Sequence, residues 1–326
     1  MTARRLADGS KIIEINGKDM IYSVFFAKDG KQVVSGGVEG MIRRWRVDDG
    51  LEVGEPIPVE GAKIYAAVLS PDRKWLACGL RGSDWKDGRA DIRVWDVQTD
   101  GKVRDIHGHT NTVFSVDMSP DSTKLATGAT DKVVFVWSLT TRKKLVGPLK
   151  HDGWVVAVRF SPNGDRIATA AAENPDAKSI RIYNSHNGQR LLDIPFRVSG
   201  NLGSLLTWSA DGRQLFAVSY GVAKCFDTST GVTLSKWSIP DGSPASIALA
   251  RNQNFIVISG KDGLSFWDAS THMQLGPVIK YTSTIWGIAL SPDDDCIATG
   301  EANGKITLRN LRDILPFSYF TVSVSN

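Results

Sequence analysis

Residues 106 to 139 read IHGHTNTVFSVDMSPDSTKLATGATDKVVFVWSL. The stretch opens on Gly108-His109, passes two alternating apolar runs separated by Ser119-Pro120-Asp121, and closes a third run on Trp137. Short runs rich in Val, Phe, Thr and Met, with polar residues every second place, suit half-buried strands joined by tight turns. The stretch therefore reads as one antiparallel sheet unit.

The unit recurs along the chain. The place of Trp137 is held elsewhere by Trp45, Trp95, Tyr183, Phe226, Trp267 and, degraded, Arg309, at spacings of 41 to 50 residues. A second marker keeps the same rhythm: Ala27-Lys28-Asp29, Ser70-Pro71-Asp72, Ser119-Pro120-Asp121, Ser161-Pro162-Asn163, Ser209-Ala210-Asp211, Ala250-Arg251-Asn252 and Ser291-Pro292-Asp293. A period of about 40 to 45 residues is that of WD40 arrays. On these residues nearly the whole chain resembles the WD40 repeat family, and the Trp-Asp pair itself stands at Trp95-Asp96 and Trp267-Asp268, with Phe226-Asp227 a near copy. The resemblance implies an all-β fold, a seven-bladed β-propeller of four-stranded antiparallel blades. Turns such as Thr99-Asp100-Gly101 and the Gly-Pro pairs at 147–148 and 276–277 are similar to those of fungal WD40 arrays, some of them stand-alone.

At 326 residues the chain is long enough for two cores, but stacked repeats need their neighbours and give one domain over 1–326. The blades are expected at about 21–53, 64–104, 113–146, 155–194, 202–237, 245–275 and 285–311. A ring must close or leave an edge exposed. Residues 11–15 are therefore expected to supply the outer strand of the last blade, after a short polar leader at 1–9. The tail, 312–326, alternates like a strand with no blade left to join.

A net charge of +4, from 39 basic and 35 acidic residues spread along the chain, lacks the basic stripe of a nucleic-acid binder. The densest patches, Arg43, Arg44, Arg46 and Arg142, Lys143, Lys144, suit solvated edges and turns. Cys78, Cys225 and Cys296 fall in three repeats without metal or disulfide spacing. No signal segment and no run of about 20 apolar residues is seen. The expectation is a cytoplasmic or nuclear protein, a monomer or a subunit of a larger complex, with no cofactor, metal, membrane or nucleic-acid partner. The acidic turn Asp293, Asp294, Asp295 lacks EF-hand spacing and reads as solvated, and GEANGK at 300–305 falls short of a phosphate loop.

In the family pattern a His, a Ser or Thr, an Asp and the anchor Trp form a hydrogen-bonded chain, and only blade 3 holds all four: His109, Thr127, Asp131 and Trp137. The set could be taken for a hydrolase triad. It lacks a nucleophile elbow and an oxyanion donor pair, and the indole gives it a structural purpose. His151 with Thr169 is a partial copy, while His107, His186 and His272 sit in connections and read as solvated.

Two departures from the repeat point to a partner. The family's strand order places the connections into the first strands, and the loops between second and third strands, on one rim. Blade 2 carries a long loop there, RGSDWKDGR at 81–89, with Trp85 in it. The innermost strands of blades 7, 1, 2 and 3 carry Trp286, Tyr22, Tyr65 and Phe114 at one shared place, whereas blades 4, 5 and 6 have Val156, Gly203 and Ser246. Trp154 and Tyr281 extend this patch in the connections ahead. Tyr and Trp are enriched at binding hot spots. The reading is a non-catalytic scaffold gripping a protein or peptide on this face. The rival reading of the same rings is a plug in the channel mouth. An enzyme would need convergent acids or a metal at those positions, and a nucleic-acid binder interleaved Lys and Arg.

Overall fold

Each repeat is organised at its lower turn. In five of them the turn serine donates to the residue two places on (Ser70 to Asp72, Ser119 to Asp121, Ser161 to Asn163, Ser209 to Asp211, Ser291 to Asp293). The same hydroxyls accept the backbone N–H five places on, from Trp75, Lys124, Arg166, Gln214 and Cys296. The hydroxyl thus closes the hairpin between the first two strands.

The computed structural model describes residues 2–5, 11–27, 29–59, 62–82, 90–97, 104–172, 179–199, 205–240, 244–261 and 263–320. These residues form seven antiparallel sheets arranged as a seven-bladed propeller. The innermost strands are Ile21–Phe26, Ala62–Leu69, Val113–Met118, Trp154–Phe160, Leu206–Trp208, Pro244–Leu249 and Ile285–Leu290. The outermost strands of blades 2 and 6, Arg104–His109 and Ile279–Lys280, run past the expected ends at 104 and 275, because the outer strand continues into what reads as a connection.

Apolar side chains fill the spaces between blades, and polar groups pin neighbouring blades along the channel. Val158 N–H donates to the Ser115 hydroxyl (3.1 Å), Phe160 N–H to Asp117 (2.7 Å), and Ser246 donates to Trp286 O (3.0 Å). Asp294 belongs to this set. Expected in a solvated turn, it is 4% exposed and accepts the N–H groups of Arg251 and Asn252 in blade 6. Such carboxylate-to-amide bonds satisfy turn donors that the ring would otherwise bury unpaired.

Residues 11–15 close the ring on the last blade, as expected. Strand Lys11–Asn16 pairs with Lys305–Asn310, Ile13 facing Leu308 and Ile15 facing Ile306. Ile12, Ile13 and Ile15 are buried, and Lys305 Nζ lies 3.1 Å from Glu14. The leader is more than a leader: Thr2–Arg5 pairs antiparallel with Lys11–Asn16 as a fifth strand, taking up backbone groups that an edge would leave open. Residues 312–320 of the tail form no strand, and residues 321–326 lie outside the described residues. Leu311–Asp313 and Phe317–Phe320 are 3-10 turns on either side of Pro316, which has no N–H to give a ladder. Leu311 and Leu315 are buried, and the Tyr319 hydroxyl donates to Asp268 (2.9 Å), so this segment straps blades 6 and 7 together below.

Ile15→Ala should cost about 2–5 kcal/mol of unfolding free energy, read by denaturant titration. The lower turns also set an acid limit. Burial opposes the charged forms of Asp72, Asp121 and Asp293, but serine and backbone donors outweigh it and hold all three below the usual carboxylate range; at Asp211 the Ser209 hydroxyl is the largest cause. A depressed carboxyl contributes stability above its unfolded value of about 3.9, and the contribution is lost as pH falls through the folded value. The raised carboxyls among the described residues, Asp117, Asp294 and Glu301, act in the opposite sense and are fewer. The melting temperature should therefore fall steeply from pH 5 towards pH 2 in a calorimetric series.

Candidate functional site

Among the described residues, six of the seven innermost strands share one irregularity. Their pairing with the second strand slips by one residue at Tyr22, Tyr65, Phe114, Val156, Ala245 and Trp286. A bulge places two residues against one and re-aims the side chain of the extra residue. Here the re-aimed aromatics meet at the upper mouth of the channel. Trp286 lies 6.2 Å from Tyr22 between ring centroids, Tyr22 stacks on Tyr65 at 5.0 Å, Tyr65 meets Phe114 at 5.3 Å, and Phe114 meets Trp154 edge-on at 6.4 Å. Five rings from five successive blades thus form an unbroken arc, with Trp154, the first residue of its strand, 51% exposed at one end.

Beneath the arc is a cavity of about 260 Å³, lined by Tyr22, Tyr65, Phe114 and Trp286 above and by Ser23, Ser115, Asp117 and Arg159 deeper in. Burial pushes the Tyr22 phenol up, with Tyr65 and Asp19 adding to the effect. Arg81 Nη1 reaches the Tyr65 hydroxyl at 3.5 Å. The indole N–H of Trp286 is buried with no acceptor among the described residues. Asp117 is pushed up by burial, against the opposing pull of nearby Arg159. A wider cavity of about 660 Å³ opens at the lower mouth, walled by Phe25, Leu69, Leu249 and Leu290 and by Arg159. Trp85 and its loop lie outside the described residues.

Tyr281 does not extend the arc. It is packed beneath Arg309, whose guanidinium lies over its ring at 5.3 Å and whose Nε donates to its hydroxyl at 3.0 Å. The degraded anchor is thus an exchange, with the cation at the anchor place and the aromatic 28 residues earlier, where blade 3 has His109. His272 is not solvated either. It stacks on Trp237 at 4.3 Å, and burial holds its imidazole below the ordinary value.

Blade 3 shows how an anchor is held. Trp137 Nε1 donates to the Thr127 hydroxyl (2.9 Å), Thr127 meets His109 Nε2 (2.8 Å), and His109 Nδ1 meets Asp131 (2.9 Å). With Nδ1 protonated against the carboxylate, Nε2 accepts from Thr127, and the buried polar side-chain atoms of these four residues are satisfied. Gly108 is required because a Cβ there would stand 2.6 Å from the Trp137 ring. Blade 4 runs the chain backwards. Arg181 Nη1 donates to His151 Nδ1 (3.3 Å), which turns Nε2 into the donor to Thr169, whose hydroxyl gives to Arg181 O. Blade 2 leaves its chain incomplete: Cys78 stands where Thr127 stands in blade 3, and the buried Trp95 N–H has no partner among the described residues. Among the described residues no group of three or more His, Cys, Asp or Glu side chains is placed to hold a metal ion, and no helix is long and apolar enough to cross a membrane.

Comparison with known proteins gives a match to the family described as WD domain, G-beta repeat, over residues 9–46, 101–138, 143–184 and 275–310. Protein HIR1 of Eremothecium gossypii is 27% identical over 234 residues, which cover 60% of this chain and 27% of that protein. Protein groucho of Drosophila melanogaster is 31% identical over 132 residues, covering 38% of this chain and 16% of groucho. Autophagy-related protein 16 of Arabidopsis thaliana is 25% identical over 229 residues, covering 68% of this chain and 43% of that one. The matches therefore span less than half the length of each of these relatives.

Two substitutions test the anchor chain in opposite directions. Thr127→Val strands two buried donors or acceptors and should cost about 2–4 kcal/mol, whereas Cys78→Ser offers Trp95 the acceptor that Ser35 gives Trp45 (2.8 Å) and should add about 1 kcal/mol. Both are read as shifts of the denaturation midpoint.

Proposed function

Because the chain belongs to the WD40-repeat family, we propose that it is a non-catalytic platform whose upper face grips a protein or peptide partner through Tyr22, Tyr65, Phe114, Trp154 and Trp286. The observation that carries this reading is the unbroken arc of five rings. Rings that served only to plug the mouth would be expected to shield one another, but the arc ends in a half-exposed tryptophan and stands over an open cavity. Aromatic side chains bury large areas for little lost entropy, which suits them to anchor a docked segment.

The partner's contribution follows from the chemistry of the arc. An apolar or aromatic side chain fits above the cavity, flanked by backbone that can pair with Arg81 and the Tyr22 and Tyr65 hydroxyls. The channel below offers Ser23, Ser115 and Ser246, each already engaged in bonds between blades, so the polar groups there hold the ring together. Trp85, in the long loop of blade 2, is assigned to the same contact from its sequence setting. Membership in larger assemblies is part of the proposal, since the relatives extend well beyond the matched region.

Panning a random peptide display library on the purified protein should enrich sequences with a recurring aromatic or large apolar anchor. Trp154→Ala, at an exposed position, should weaken the enriched peptides about tenfold in fluorescence polarisation with no change in melting temperature. Equal binding to wild type and to a Tyr65→Ala, Phe114→Ala, Trp286→Ala variant would contradict the reading.

A further inference from the structure

Blade 5 breaks a charge rule that the ring keeps elsewhere. Two residues before the anchor, blades 1, 2, 4 and 5 carry Arg43, Arg93, Arg181 and Lys224. In the first three, each cation is matched. Arg43 reaches Glu39 and Glu52, both at 2.6 Å, and Arg93 meets Asp105, directly opposite on the outer strand, at 2.9 Å. Arg181 meets Asp152 at 2.9 Å and faces Asp193 on its outer strand. In blade 5 the residue directly opposite Lys224 is Lys236. Neither lysine has an acidic partner among the described residues. Like charges facing each other across a strand pair oppose folding.

A second departure lies beside the first. The Lys224 ammonium sits over the ring of Phe196, 5.6 Å from its centroid, and the next residue, Arg197, is exposed with its guanidinium 4.5 Å over the ring of Tyr220. Tyr220 is 51% exposed and has φ +46, followed by Gly221 at φ +72. A two-residue hairpin turn with both residues left-handed favours Asn, Asp or Gly at its first place, and an aromatic there is strained. Two unfavourable choices, an unmatched pair of lysines and a strained exposed tyrosine under an arginine, thus converge on one edge.

We propose that the upper outer edge of blade 5, formed by Arg197, Tyr220, Lys224 and Lys236, binds the acidic side chains, carboxylate or phosphate, of an extended peptide segment of a partner protein. Three cations on a single blade suit a short acidic segment. A nucleic-acid track would continue onto blade 4, where Arg181 and Arg190 are instead occupied by Asp193. The site is separate from the aromatic arc on blades 7 and 1 to 4, and it stands or falls independently of that arc.

The test uses the full chain and a fluorescein-labelled dodecapeptide of alternating Glu and Ser, with versions in which Gln or phosphoserine replaces Glu. The Glu or the phosphoserine peptide should bind in fluorescence polarisation, its affinity falling as salt is added, and the Gln peptide at least about tenfold more weakly. The tighter of the two anionic peptides identifies the natural group. Lys236→Asp supplies Lys224 with the carboxylate present in blades 2 and 4, so it should raise the denaturation midpoint while weakening the peptide at least about tenfold. Tyr220→Asn should likewise stabilise the fold and weaken binding. Since stability and binding move in opposite directions, misfolding cannot imitate the result. The proposal fails if neither anionic peptide binds at low salt, if Lys236→Asp binds as wild type does, or if duplex DNA competes for these residues more tightly than either peptide.

Discussion

The interaction on which the rest depends is the pairing of Lys11–Asn16 with Lys305–Asn310. It joins residues as far apart as Glu14 and Lys305, 291 positions along the chain. Closing so long a loop costs little more than closing a shorter one, since each doubling adds only about 0.6 kcal/mol. Each isoleucine buried by the strand contributes about 1.5–3 kcal/mol, and Ile12, Ile13 and Ile15 are all buried. Burial therefore outweighs the length of the loop. The closing contact also sets the upper face, because the seam between blades 7 and 1 falls inside the aromatic arc. At that seam Gly300 lets Ile21 approach to a distance of 2.6 Å from where a Cβ would be, and Trp286 reaches Tyr22. An unclosed ring would divide the arc between its two ends.

Within the closed ring, the blades other than blade 2, whose Trp95 N–H has no partner among the described residues, meet one demand, an anchor with its polar atoms satisfied, by different chemistry. Blade 3 uses Trp, Thr, His and Asp, blade 4 reverses the donors through Arg181, and blade 7 exchanges aromatic and cation at Tyr281 and Arg309. Blade 5 dispenses with polar atoms and places Val198, Ala217 and Phe226 in a shared apolar cluster. It falls in the stretch between 185 and 274 that the family match leaves out. An apolar anchor needs no hydrogen-bond geometry to be complete, which leaves the outer strands of that blade free to carry unmatched charge.

The fold was legible in the sequence because its two markers are local chemistry repeated seven times. A Ser-Pro-Asp turn bonds within a few residues of itself, and an anchor aromatic recurs at a fixed interval. The arc was legible for the same reason: Trp286, Tyr22, Tyr65 and Phe114 share one place in the repeat. What the sequence concealed was chemistry that satisfies a repeat position by another route. Tyr281 looked like a surface aromatic because the residue it supports, Arg309, looked like a lost anchor. Asp294 looked solvated because its partners, Arg251 and Asn252, lie in the neighbouring blade. The strand Thr2–Arg5 carried no apolar alternation to announce it, and the described part of the tail forms 3-10 turns on either side of Pro316.

The most direct measurement is native-state hydrogen exchange resolved to single amides. If closure governs the ring, the amides of Ile13, Ile15, Ile306 and Leu308 will open only with global unfolding, at the same free energy as those of Leu125 and Val136 in blade 3. Exchange of the four seam amides through a separate, low-energy opening, with blade 3 still protected, would show that the ring stands without its clasp and would contradict this account.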